Sequence, residues 1–91
     1  MGKPKKQELE TALDAAKRLR ETGQDKYFLG KALLNLHYRM SFLEKVMEVA
    51  DRYLHSGLSE QEHTRLMRAI EAAKRADARS SGEEEQLPEL I

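Results

Sequence analysis

The sequence predicts an all-α protein, a three-helix bundle with a long central helix and a flexible acidic C-terminal tail. Apolar residues recur at steps of three and four through three segments, Gly23 and Gly57 fall where that rhythm breaks, and no segment alternates as a strand does. The predicted helices span 5–22, 26–55 and 60–79, so residues 1–79 are expected to form one helical domain and 80–91 a tail.

The first helix offers Leu9, Ala12, Leu13, Ala16 and Leu19 on one face, and Gly23 suits the left-handed position that closes a helix. Asp25 stands where its carboxylate can accept a bond from the free N–H groups at the start of the second helix. That helix carries the strongest pattern in the chain. Leu29, Leu33, Leu36, Met40, Leu43, Met47, Ala50 and Leu54 advance by alternating steps of four and three, a heptad row of a and d positions. The row is expected to be buried, with Leu43 at its centre. Phe28, Ala32, Phe42, Val46, Val49 and Tyr53 form a second apolar set beside it, and Leu34 and Tyr38 widen the stripe on the other flank. The stripe is wider than one neighbouring helix needs.

The third helix opens with Ser59-Glu60-Gln61-Glu62, a capping-box spacing in which Ser59 and Glu62 each satisfy the other's backbone N–H. Its apolar residues are Leu66, Met67, Ala69, Ile70, Ala73 and Ala76, mostly small. Ser80, Ser81 and Gly82 read as its end, followed by three glutamates and the apolar close Leu87-Pro88-Glu89-Leu90-Ile91.

Composition narrows the function. The 91 residues carry 16 basic and 16 acidic side chains, and this balance argues against holding nucleic acid mainly through phosphates. The absence of cysteine excludes disulfides, thiolate metal sites and cysteine nucleophiles. The opening MGKPKKQELE has charges with no apolar stretch behind them, and no run of apolar residues is long enough for a membrane span. Neither a secretory leader nor a membrane role is expected, and the cytoplasm is the expected location.

No catalytic, cofactor or metal site is expected. His55, His63 and Glu62 cluster near the Gly57 turn but lack the spacing of a zinc motif. His37 stands alone at the edge of the apolar stripe. Glu44, Glu48 and Asp51 lie along one side of the central helix, interleaved with Lys45 and Arg52 as in an ordinary charged surface. The expected role is a small non-enzymatic interaction or regulatory protein. It would bind a protein partner, or itself as a homodimer, through Phe28, Leu34, Tyr38, Phe42 and Val49, with Leu87, Leu90 and Ile91 as a second docking element. The alternative is a nucleic-acid-associated regulator using Arg65, Arg68, Arg75 and Arg79, which form a basic edge on the third helix. A small helical enzyme ranks third.

Overall fold

A computed structural model describes the backbone of residues 1–89 and the side chains of residues 1–82. It contains three helices, α1 (Lys6–Glu21), α2 (Leu29–His55) and α3 (Glu60–Glu89), and among the described residues no strand. The all-α class and the long central helix are as the sequence predicts. Among the described residues no helix is long and apolar enough to cross a membrane. The chain divides into two compact units, Met1–His37 and Tyr38–Ile91.

The first unit is α1, a turn, and the opening turns of α2. The Lys5 N–H donates to Glu8 Oε1 at 2.7 Å, so a first-turn carboxylate closes the start of α1. Its end is a Schellman closure. Gly23 takes φ 69°, its N–H reaches the Arg20 carbonyl at 3.4 Å, and the Gln24 N–H reaches the Leu19 carbonyl at 3.0 Å.

The start of α2 differs from expectation. Residues 26–28 are a turn, in which the Phe28 N–H donates to the Asp25 carbonyl at 3.1 Å and Phe28 itself adopts φ 60°. The first helical bond runs from the Ala32 N–H to the Phe28 carbonyl, so α2 begins at Leu29 and not at residue 26. Asp25 still caps it, from further upstream. Its carboxylate accepts the N–H groups of Gly30 (2.8 Å) and Lys31 (2.9 Å), while Arg20 Nη1 pairs with it at 3.2 Å. Burial works against this charge. The two N–H bonds and the guanidinium outweigh it and hold the carboxyl below the usual carboxylate range.

Gly30 fixes how closely α1 and α2 approach. It is buried against Ala16, and a Cβ there would stand 2.7 Å from the Ala16 carbonyl oxygen and 3.2 Å from Asp25 Oδ2. Leu9, Leu13 and Leu19 from α1, and Leu33 and Leu34 from α2, are half-buried around this contact.

The second unit is the rest of α2 joined to α3 through Gly57, at φ 70°, and Leu58, at φ 63°. Ser59 caps α3, its Oγ accepting the Glu62 N–H at 3.4 Å. The return arm of the expected capping box is replaced: Glu62 Oε1 pairs with Arg65, and Glu62 Oε2 is buried with no partner among the described residues. α3 runs past the predicted end at Arg79 to Glu89. The serine read as a breaker does not break the helix, because Ser80 Oγ donates to the Ala76 carbonyl at 3.0 Å, back along α3.

The inward row of α2 is Arg39, Phe42, Val46, Val49 and Tyr53, and that of α3 is Glu62, Leu66, Ala69, Ala73, Ala76 and Ser80, all half-buried or buried. Both follow heptad steps. An ion pair of Arg39 with Asp77 at 3.4 Å and a ring contact of Tyr53 with His63 at 5.6 Å sit on one antiparallel register, since 39 to 53 spans as many residues as 63 to 77. The predicted seam is therefore corrected. Leu43 is 57% exposed, and Leu29, Leu36, Met40, Met47 and Leu54 are exposed with it.

Two outcomes test this description. Gly30→Ala, which in an open helix would gain about 1 kcal/mol, should here lose about 1–3 kcal/mol because the Ala16 carbonyl must move. Thermal melting checks it, and a raised melting temperature would contradict the close approach.

Asp25 gives a pH signature. A carboxyl held below its unfolded value, about 3.9, adds stability above that pH, and the contribution disappears as pH falls through the folded value. The melting-temperature difference between wild type and Asp25→Asn should thus be constant near neutrality and shrink below about pH 4. A difference that grows on acidification would contradict the cap.

Candidate interaction face

The second unit turns the usual order of a small domain inside out. Among the described residues the buried apolar side chains are Ala16, Val49 and Ala76, and no large side chain is fully buried. Apart from half-buried Leu66, the described leucines and methionines of the second unit stand outside. Met40, Leu43, Met47 and Leu54 keep their heptad spacing along α2, with half-buried Ala50 between the last two, and Met47 reaches 70% exposure. On α3, Met67 and Ile70 are exposed one turn apart.

These are parts of one face. Leu43 and Val46 from α2, with Ile70 and Ala73 from α3, line an open groove of about 290 Å3 whose rim is Arg39, Lys74 and Asp77. Helix geometry explains why both helices contribute. In each, the exposed row is offset from the inward row by roughly a quarter turn, and in an antiparallel pair these offsets fall on the same side. Arg39 and Asp77 neutralise one another at the edge, leaving an apolar floor with no unpaired charge on it.

The predicted binding residues divide. Phe28 is exposed in the first unit and Tyr38 in the second, where its ring meets that of Phe42 edge-on at 5.2 Å. Leu34 and Phe42 are half-buried, and Val49 is 3% exposed. The last three were read as part of an uncovered surface. They serve the chain's own packing: Leu34 lies at the contact of α1 with α2 around Gly30, and Phe42 and Val49 belong to the row of α2 that turns toward α3. Of the docking element, the Leu87 side chain and all of Leu90 and Ile91 lie outside the described residues.

Arg65, Arg68, Arg75 and Arg79 are all exposed on α3, and Arg65 is tied to Glu62. Glu48 binds Arg52 at 2.7 Å and Lys45 at 3.7 Å, the surface pairing its spacing suggested. His63 packs on Tyr53, while His55 Nδ1 donates to the Asp51 carbonyl at 2.8 Å. Among the described residues no three histidine or acidic side chains converge as a metal set.

Sequence reasoning missed Met47, Leu43, Met67 and Ile70 as surface residues. The signal was present in α3, whose run of alanines is too shallow to enclose a row of leucines and methionines. Comparison with family models, curated proteins and solved structures finds no match.

Proposed function

We propose that this chain is a cytoplasmic, non-catalytic association protein that engages a helical protein surface through the apolar face of its second unit. One observation supports the reading above the others: the unit turns Met40, Leu43, Met47 and Leu54 of α2 and Met67 and Ile70 of α3 to one exposed face. Six such residues at half exposure or thereabouts present on the order of 600 Å2 of apolar surface, at the top of the range for the largest patch on a monomer. Methionines suit the task, since their unbranched side chains adapt to the surface they meet. The predominantly apolar groove, with Arg39 and Asp77 paired at the rim, fits helix-face recognition better than acid–base chemistry.

The test is differential capture from the native host. Wild type should retain proteins that Leu43→Glu/Met47→Glu does not, and this retention should survive raised salt, because apolar contact is not screened. The double variant should keep its helical circular dichroism, since both side chains are exposed. Val49→Asp, in contrast, should unfold the protein by placing an unpaired carboxylate in the interior, a cost of several kcal/mol. If capture instead fell steeply with salt and was lost on Arg68→Glu/Arg75→Glu, the basic edge of α3 would be the working surface and the apolar face would not.

A further inference from the structure

We infer that the surface engaged by this face is the same face of a second copy, so that two α2–α3 hairpins close on one another. The inference rests on the association reading above and names its partner.

Area points to a second copy. The exposed face of one chain is on the order of 600 Å2, and two such faces brought together remove about 1,200 Å2, where specific stable interfaces begin. Flanking side chains add to that figure. Shape points the same way. The face is two helices wide, with Met40, Leu43, Met47 and Leu54 from α2 beside Met67 and Ile70 from α3. A lone helix would fill the groove between Leu43 and Ile70 and leave the outer residues wet. A second hairpin offers a surface of matching width, and its heptad spacing lets each side chain enter a gap between those opposite.

Charge permits it. A two-fold interface sets each patch against its own image, so any unpaired charge would meet its like. The apolar row of α2 carries no charge, and the Arg39–Asp77 pair at the groove edge is internally neutral. The one further charge lining the groove, Lys74, is exposed at its rim where water and salt screen it, and the whole chain has a formal net charge of zero. Nothing in these features drives two copies apart.

The experiment is sedimentation equilibrium of the full chain at tens of micromolar, with wild type, Leu43→Glu/Met47→Glu and the milder Met47→Ala. Wild type should give about 21 kDa, twice the 10.5 kDa chain. The double glutamate variant should give the single-chain mass. Met47→Ala favours the helix and fills no new space, and should raise the dimer dissociation constant about tenfold. A wild-type dimer with an unaltered constant in Met47→Ala and Leu43→Glu/Met47→Glu would mean another surface and overturns the inference. A monomeric wild type overturns it as well, and host capture then separates the two readings. Proteins retained through Leu43 and Met47 would leave the association reading standing with a foreign partner, and no such proteins would remove both.

Discussion

The shallowness of α3 determines much of what the rest of this protein does. Ala69, Ala73 and Ala76 reach only one carbon from the backbone, so α3 can lie close to α2 but cannot enclose long side chains. Close approach favours the valines: Val49 is buried and Val46 half-buried, stiff β-branched residues that fit a narrow gap. The register is then held at both ends, by Arg39 with Asp77 and by Tyr53 with His63. Once that row is inside, helix geometry leaves no choice for its neighbour. Met40, Leu43, Met47 and Leu54 must face outward on the same side as Met67 and Ile70.

The energetics follow from the same constraint. An interior whose fully buried members are alanine and valine, with Phe42, Tyr53 and Leu66 only half-buried, removes limited apolar area from water, and small domains are marginal even with a full core. Covering the outer face would supply area that the inner one lacks. Stability and association are thereby linked, because a partner that binds only the folded chain raises its stability by mass action. The first unit solves the same problem differently. Gly30 removes a side chain altogether so that α2 can touch the Ala16 backbone, and the Asp25 carboxylate, paired with Arg20, secures the end of the helix that this contact requires.

Much of this was legible in the residues. The heptad rows, Gly23 and Gly57 located three helices, and Ser59 located the start of α3. Three features escaped for identifiable reasons. Asp25 caps across an intervening turn that Phe28 closes at positive φ, a conformation that residue type does not announce. Ser80 resembles a breaker but bonds back to Ala76 and stays helical. Most consequentially, α2 carries two heptad rows side by side, and hydrophobicity alone favours the one with leucines. The choice between them lies in α3, whose alanines leave a narrow gap that suits the two valines at the middle of the inward row, and only the pairing of the two helices exposes it.

Thiol accessibility tests the central claim directly, because the chain has no cysteine of its own. Leu43→Cys, Met47→Cys and Val49→Cys would each be labelled across a dilution series. Val49→Cys should resist labelling at every concentration, whereas Leu43→Cys and Met47→Cys should react freely when dilute and become protected as concentration rises. Protection of Leu43→Cys at all dilutions, with Val49→Cys reacting freely, would place the leucine row inside and contradict the account.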